Sequence, residues 1–226
     1  MDEQTADQAR KILHRVGQPF SFRRGEILMS FGAPSDDVVL IASGSVKVVL
    51  SEQTGAQLVA GPYGPGELIG ELGVLDRRPR TATVVALHDG AGVRVAAPVF
   101  RRLFERDRDV MLLVNATLRA RLHKADNRQL AIASQHVATR VAAQLLEWAE
   151  KFGTPEGRGI AVRGNTQEDL AGAVVASAKS VDAALKSLRD DGLIRTRRLC
   201  YLLTDPALLA SLLQRPGWRP GKRRYP

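Results

Sequence analysis

The stretch Pro65–Leu87, PGELIGELGVLDRRPRTATVVAL, places Gly70-Glu71 and Arg80-Thr81 ten residues apart between two apolar runs. A glycine at position 70 permits close backbone approach, so consecutive N–H groups there can point at an anion. Arg80 adds a fork of donors suited to phosphate oxygens. An ionised Glu71 only accepts hydrogen bonds, so its natural partner beside a phosphate is a sugar hydroxyl. The pattern predicts a sugar-phosphate site, with a surface Glu71–Arg80 ion pair as the alternative.

The segment around this stretch, from Pro19 to about Ala96, consists of short apolar or alternating runs that glycines separate. Short strands with glycine turns at this spacing are typical of a β-sandwich or barrel. The glycines at the predicted turns are Gly25, Gly32, Gly44, Gly55, Gly66 and Gly90.

A long helix is predicted next, because Val99–Ala133 contains neither glycine nor proline. Its apolar residues mostly recur at steps of three or four, as on one helix face. A second copy of the helix would bury that face in a dimer, whereas packing onto the chain's own barrel is the alternative. The stripe consists of Met111, Val114, Leu118, Leu122, Ala125 and Ile132.

The C-terminal part begins with a helical pattern over Val137–Phe152 and then shows two capped helices within Asn165–Ile194. Thr166 is the predicted cap of the first and Ser177 of the second. Two capped helices joined by a turn of about four residues form a helix-turn-helix. Two short β-rich runs with arginines between them follow and predict a wing. The apolar positions expected in this module are Leu170, Ala171, Val174, Val175, Val181, Leu185 and Leu188.

Charge is unevenly distributed along the chain. Residues 1–136 carry a net charge of +3 and residues 137–226 a net charge of +6, with eight basic groups against the single acid Asp205 after position 191. Such concentration favours a polyanionic partner, although solvated surface charge is the alternative. The arginine-rich tail RPGWRPGKRRYP is predicted to be disordered and is either an arm on DNA or without a role.

The composition and motifs of the sequence argue against several classes of protein. Cys200 is the single cysteine, so an internal disulfide is excluded and redox sensing is not expected. The N-terminus is too acidic for a signal peptide, and no apolar run is long enough to span a membrane. The sequence therefore predicts a cytoplasmic protein that makes no membrane contact. It shows no metal-ligand cluster, nucleophile-base pair or P-loop, so neither an enzyme nor a metal site is expected.

These motifs together resemble the cyclic-AMP receptor protein (Crp/Fnr) family of bacterial transcription regulators. The run GELIGELGVLDRRPRTATVVA is similar to the phosphate-binding cassette of cyclic-nucleotide-binding domains, and RRGEILMSFGAPSDDVVLIASGSVKVVL is similar to their first strands. The resemblance implies that Gly70, Glu71 and Leu72 meet the ribose and phosphate, with Glu71 on the 2′-hydroxyl. It also implies that Arg80 and Thr81 bind the cyclic phosphate.

The resemblance implies an α+β fold: an N-terminal jelly-roll-like β-roll over residues 1–106, a long dimerisation helix with its hinge over 107–136, and a winged helix-turn-helix with a basic tail over 137–226. Double-stranded DNA, a second copy of the chain and RNA polymerase are the implied partners. Cyclic AMP or cyclic GMP is the implied effector. One alternative is a regulator of the same architecture that does not respond to a cyclic nucleotide and senses another effector or is constitutive. The other is an enzyme such as a phosphodiesterase.

The base that the site accepts is less closely specified. The receptor of cyclic AMP reaches adenine with a Thr-Ser pair, where this sequence has Ala125 and Asp126. A carboxylate at position 126 can accept from the N–H groups of guanine, and Thr81 suits either base. Asp126 is therefore a predicted ligand residue with cyclic AMP favoured and cyclic GMP as the rival. The alternative is an Asp126 that is exposed or pairs with Arg121 or Lys124.

The recognition helix departs from the family at several positions. The family commonly has Arg-Glu at its start and another arginine one turn later, where this chain has Ala178, Lys179 and Ala183. Val175 replaces the usual turn glycine, so a rearranged turn is expected. Lys179 and Ser180 are expected to face base edges or phosphates; each cationic contact has a merely solvated side chain as its alternative. The predicted DNA-contacting residues are Thr166, Gln167, Ala178, Lys179, Ser180, Lys186, Arg189, Arg195, Arg197 and Arg198.

Overall fold

The computed structural model describes residues 3–51 and 57–221. The chain divides into two compact units, Met1–Ala125 and Asp126–Pro226. This boundary lies within the longest helix. The division into 1–106, 107–136 and 137–226 stays a prediction.

The first unit is an antiparallel β-roll with helices at its N- and C-terminal ends. Its strands lie in the order β1-β6-β3-β4, with β2 paired to β6 and β5 paired to β3. The elements are α1 (Glu3–Val16), β1 (Gln18–Phe22), β2 (Ile27–Met29), β3 (Asp37–Ser51), β4 (Gln57–Tyr63), β5 (Leu68–Ile69), α2 (Glu71–Asp76), β6 (Thr83–Ala96), α3 (Ala97–Arg106) and α4 (Arg108–Ser134).

Two of the predicted turns are wrong. Gly44 lies inside β3 and Gly90 inside β6, so each pair of short predicted strands is one long strand. The β3–β6 register shifts on both sides of Ser43, which identifies bulges. Gly44 has φ 75°, and a Cβ there would lie 2.5 Å from the carbonyl oxygen of Asp89. The glycine therefore permits a bend within the strand, while Gly55 lies outside the described residues.

The core of the first unit forms where α1, α3 and the start of α4 pack on the sheet. Phe100 and Leu13 are fully buried there against Leu40 and Val95. The described helices include none that is long and apolar enough to cross a membrane.

The predicted stripe of α4 is divided between two environments. Val110, Leu113 and Val114 are buried in the core of the first unit, which is the packing that the alternative expected. Leu122 and Leu130, further along the helix, are 62% and 67% exposed. The first turns of α4 therefore belong to the β-roll core, and its later apolar residues are not buried within this chain.

The second unit contains the predicted helix-turn-helix and wing. Its four-stranded antiparallel sheet has the order β7-β8-β10-β9, and the β7–β8 hairpin is an addition that the sequence did not predict. Trp148, Leu170 and Leu188 are fully buried in its core. The elements are α5 (Val137–Phe152), β7 (Thr154–Glu156), β8 (Gly159–Arg163), α6 (Gln167–Val174), α7 (Ala178–Asp190), β9 (Ile194–Arg197), β10 (Cys200–Leu203) and α8 (Pro206–Leu213).

The described part of the tail is packed, so the prediction of disorder is wrong for it. Trp218 packs against the core of the second unit, and its carbonyl oxygen accepts a hydrogen bond from Thr139 at 3.1 Å. The backbone N–H of Gly221 donates to Asp191 at 2.7 Å. A large aromatic side chain thus holds a segment that composition alone marks as disordered. The prediction of disorder for the last five residues lies outside the described residues.

Replacing Trp218 with alanine should lower the free energy of unfolding of the second unit by about 1–3 kcal/mol, because a partly buried aromatic contact is lost. Urea unfolding followed by circular dichroism measures this change. The matched control is Arg219→Ala, an exposed residue of the same segment, which should leave the unfolding midpoint unchanged. A Trp218→Ala protein as stable as the wild type would contradict the docking of the tail.

Candidate nucleotide site and DNA-binding surface

Arg80 is a buried cation, only 7% exposed, in the segment between α2 and β6. Its Nη1 donates to the carbonyl oxygen of Gly70 at 2.9 Å. Its Nη2 donates to the backbone oxygen of Asp37 at 2.7 Å and to the carboxylate at 2.6 Å. Burial lowers the pKa of Arg80 and Asp37 opposes the shift, but a guanidinium remains charged throughout the physiological range.

Gly70 is required by this geometry. Its φ is 88°, and a Cβ at this position would lie 2.5 Å from Nη1 of Arg80. The residue lies between the end of β5 at Ile69 and the start of α2 at Glu71. Only glycine adopts this conformation at low cost and leaves room for the guanidinium, so the Gly-Glu pair and Arg80 form one local structure.

Glu71 is fully buried and pairs with Arg121 of α4 rather than with Arg80, so the surface Glu71–Arg80 ion pair that was the alternative interpretation is not formed. Oε1 of Glu71 lies 2.5 Å from Nη1 of Arg121. The Arg121 guanidinium also donates to the carbonyl oxygen of Leu68 and lies 4.9 Å from the centre of the Tyr63 ring. Burial raises the pKa of Glu71, and Arg121 opposes this shift.

The second carboxylate oxygen of Glu71 has an unused hydrogen-bonding capacity. Oε2 is buried and has no hydrogen-bond partner among the residues that the structure describes. A buried acceptor without a donor is costly. The carboxylate thus presents an acceptor that a ligand hydroxyl would satisfy.

A cleft joins these groups. Its volume is about 80 Å³, smaller than the roughly 300–1,000 Å³ of typical small-molecule pockets. Cationic donors and an acceptor-only carboxylate occupy one cleft, which suits a group carrying both an anion and a hydroxyl. The lining residues are Met29, Val48, Ile69, Gly70, Glu71, Leu72, Gly73, Arg80, Thr81, Ala82, Val84 and Arg121.

The structure therefore brings together five of the six predicted ligand residues. Leu72 and Thr81 are exposed at the cleft. Asp126 is exposed and belongs to the second unit, so its role as a base contact stays a prediction. Sequence reasoning considered Arg121 only as a partner for Asp126. Its contact with Glu71 spans fifty residues of sequence, and no local pattern indicated it.

The two caps predicted for the helix-turn-helix are confirmed. Thr166 and Asp169 form a reciprocal capping box at 2.9 and 3.0 Å. The backbone N–H of Ser180 donates to the hydroxyl of Ser177 at 3.2 Å. Burial and the neighbouring Asp169 also raise the pKa of Tyr201, in β10, to about 12. The cap of α6 thus lies beside the wing strand.

The predicted DNA-contacting residues all have accessible side chains; Thr166 and Ser180 are partly buried and the others are exposed. Two of the arginines have protein partners. Arg189 donates to Thr196 at 3.3 Å, and Arg197 lies 3.1 Å from the carboxylate of Glu156, which also pairs with Arg163. Exposed ion pairs contribute little to stability, so the pair with Glu156 does not commit Arg197 to a contact within the protein.

The turn between α6 and α7 keeps a left-handed residue despite its valine. Val175 has φ 50° and ψ 63°, so the rearrangement expected at this position is wrong. It is also 43% exposed rather than part of the core. Arg140 of α5 donates to the carbonyl oxygens of Val174 at 3.1 Å and Val175 at 3.3 Å. The same guanidinium donates to the carbonyl oxygen of Gln135 at 2.9 Å. Arg140 therefore links the turn to the segment just before α5.

Comparison with known families agrees with both halves of the chain. A model of the cyclic nucleotide-binding domain matches residues 19–107, and a model of the Crp-like helix-turn-helix domain matches residues 139–212. This combination defines a class of DNA-binding transcription regulators that carry a nucleotide-binding domain. The chain belongs to the Crp/Fnr family of that class.

Among curated relatives, the CRP-like cAMP-activated global transcriptional regulator of Mycobacterium tuberculosis is 31% identical over 194 residues, which cover 85% of this chain and 87% of the relative. The regulator CRP of Escherichia coli is 26% identical over 171 residues, 74% of this chain and 80% of the relative.

Solved structures share the fold. The c-di-GMP responsive regulator CLP of Xanthomonas campestris superposes with a TM-score of 0.75 at 20% identity, over 89% of this chain and 99% of that one. A CRP/FNR-family regulator of Thermus thermophilus gives a TM-score of 0.74 at 23% identity, over 88% of this chain and 100% of that one.

Replacing Val175 with glycine should stabilise the second unit by about 0.5–1 kcal/mol, because relief of the left-handed strain exceeds the entropy that glycine loses on folding. The hydrogen bonds of Arg140 run to backbone oxygens and are retained. Urea unfolding measures the change, with Val175→Ala as the intermediate control. A lower stability of Val175→Gly would contradict a strained valine.

Proposed function

We propose that this chain is a dimeric, sequence-specific transcription regulator whose affinity for DNA is set by a cyclic nucleotide, with cyclic AMP favoured. The observation that carries the proposal is that buried Arg80 and Glu71 line one cleft, and that Oε2 of Glu71 has no hydrogen-bond partner among the described residues. A cyclic nucleotide carries an anion and a free 2′-hydroxyl on one rigid ring system, so it satisfies both groups at once.

Each cleft residue has a chemical role in this proposal. Arg80 and Thr81 donate to the cyclic phosphate, because a guanidinium and a hydroxyl supply charge-assisted and neutral donors. Glu71 accepts from the 2′-hydroxyl through Oε2. Gly70 and Leu72 border the ribose. The pairing of Glu71 with Arg121 opposes the rise in the pKa of Glu71 that burial causes.

Cyclic AMP is favoured because the mycobacterial and enteric relatives are named cAMP-activated regulators. Cyclic GMP is the rival, since Asp126 stands where the receptor of cyclic AMP has an adenine contact. The exposed carboxylate of Asp126 could accept from guanine in an assembled dimer. Titration with both nucleotides separates the two.

Dimerisation is supported by the second half of α4. Leu122 and Leu130 are 62% and 67% exposed and Ile132 is 39% exposed. A helix that leaves large apolar side chains in water is stabilised by a partner helix. A second copy offers the same stripe, and a two-fold dimer presents two recognition helices to half-sites about one DNA turn, roughly 34 Å, apart.

The DNA-binding surface is divided by chemistry. Lys179 and Ser180, at the N-terminal end of α7, are the proposed contacts to base edges or phosphates, together with Thr166, Gln167 and Ala178. Lys186, Arg189, Arg195, Arg197 and Arg198 supply backbone contacts that position the protein without reading sequence. RNA polymerase is the further partner proposed for a regulator that activates transcription.

Control of DNA affinity requires different nucleotide affinities in two states of the dimer. Helix α4 carries Arg121 in the first unit and continues into the second. A change in α4 on ligand binding therefore passes along the backbone to the module that begins at Val137. Linkage permits either sign of this coupling free energy, so the sequence and the fold are compatible with a nucleotide that raises the affinity for DNA and with one that lowers it.

The decisive experiment selects operator sequences from random DNA with and without each nucleotide, and then measures affinity for the selected site. Arg80→Leu should abolish the ligand-dependent change in DNA affinity because the buried cation that binds phosphate is lost. Arg77→Leu, an exposed arginine outside the cleft, is the matched control. Normal DNA binding with no heat of titration from either nucleotide would favour a regulator of the same architecture without a cyclic-nucleotide response.

The role of Glu71 is tested with 2′-deoxy-cyclic AMP. Glu71→Gln should weaken binding of cyclic AMP by about tenfold or more, since a hydrogen bond to a charged group contributes about 1.5–3 kcal/mol. The same substitution should change binding of the deoxy ligand much less. Calorimetry on the four combinations measures the coupling, and equal losses for both ligands would contradict a contact to the 2′-hydroxyl.

A further inference from the structure

The Arg80 guanidinium is held on the side of β3 by a residue that sequence motifs do not mark. Asp37, the first residue of β3, offers both its backbone oxygen and its carboxylate Oδ1 to Nη2, at 2.7 and 2.6 Å. Gly70 holds Nη1 at 2.9 Å. Two neighbours therefore take three of the guanidinium hydrogen bonds and fix its plane.

Asp37 is itself held in place. Its other oxygen, Oδ2, accepts from Nη1 of Arg94 at 2.7 Å. The guanidinium of Arg94 in turn lies 4.3 Å from the centre of the Phe20 ring. These contacts join β1, β3 and β6, which are neighbours in the sheet. The carboxylate is thus part of the rigid wall of the β-roll.

We propose that Asp37 is the positioning residue of the anion site. It aims the Arg80 guanidinium at the cleft and so raises the affinity for a nucleotide phosphate, although it places a negative charge beside that phosphate. The inference rests on the proposed function and adds to it the residue that orients the Arg80 guanidinium.

Two physical effects of Asp37 have opposite signs, which makes the role testable. By Coulomb's law alone, removing a carboxylate beside an anion site should tighten anion binding. By preorganisation, removing it takes away one of the three hydrogen bonds that order the guanidinium, so the side chain loses more freedom when the ligand binds, which weakens binding. The direction of the change in dissociation constant therefore identifies the dominant effect.

Asp36 provides a matched control. It is the adjacent carboxylate, it is exposed, and the hydrogen bonds of Arg80 run to Asp37 instead. Asp36→Ala and Asp37→Ala remove the same charge from the same segment. We expect Asp37→Ala to raise the dissociation constant for cyclic AMP by about tenfold or more, and Asp36→Ala to leave it unchanged or lower it.

A double-mutant cycle distinguishes positioning from a general effect on the sheet. Lysine at position 80 carries a point charge rather than a planar fork and needs no such alignment. In an Arg80→Lys background, Asp37→Ala should therefore lose most of its effect on nucleotide affinity. Persistence of the full effect would show that Asp37 acts on the sheet and not through Arg80.

The measurements use the full-length chain, calorimetry with cyclic AMP and cyclic GMP, and circular dichroism to verify folding. Asp37→Asn, which keeps the shape and one acceptor, replaces the alanine variant if that protein does not fold, with an intermediate loss expected. Wild-type binding together with equal or tighter binding by these Asp37 variants would overturn the positioning role alone. A wild-type chain that binds neither nucleotide would overturn the proposed function as well.

Discussion

The constraint on which the nucleotide-binding unit depends is the burial of the Arg80 cation at the wall of a β-roll. A guanidinium removed from water must be paired and hydrogen-bonded. Asp37 supplies the charge and Gly70 supplies a carbonyl. Around this side chain lie Gly70, Glu71 at the start of α2, and Asp37 at the start of β3. Its placement is therefore structural and functional at once.

A similar requirement governs the carboxylate of Glu71. Arg121 satisfies one of its oxygens, and Oε2 has no partner within the described parts of the chain. Burial nonetheless raises the pKa of Glu71, and one buried oxygen of the side chain stays without a donor among the residues described. A buried polar atom without a partner in a native protein calls for a physical explanation, and a bound ligand is the explanation proposed for Glu71. The two halves of the site differ accordingly: Arg80 is held in advance by the protein, and Glu71 is only half satisfied.

Sequence analysis identified the site residues that are close together along the chain and missed those that are far apart in sequence. Gly70, Glu71 and Arg80 lie within one short stretch whose donor and acceptor chemistry can be interpreted directly. Arg121 and Asp37 reach the site from α4 and β3, and no local spacing indicates contacts made across fifty or forty-three residues. Such pairs are tertiary facts, so they require the fold.

Other differences have the same physical origin. Gly44 and Gly90 resemble turn glycines, but the long strands bend through bulges at these positions. Val175 alone would predict a changed turn, but Arg140 supplies donors to the carbonyls there and keeps the left-handed residue. The composition of the tail indicates disorder until Trp218 finds the core of the second unit.

The position of Arg121 suggests how the site and the proposed dimer surface are related. Arg121 pairs with Glu71, and the next residue of α4, Leu122, is 62% exposed. Successive helix residues point about 100° apart, so one turn of α4 faces the cleft on one side and exposes an apolar side chain on another. A hydroxyl bound at Oε2 of Glu71 would alter the field at Arg121 and so the energy of that helix turn. Ligand binding and helix pairing would then be linked by adjacent residues of one rigid element, and the linkage would be reciprocal.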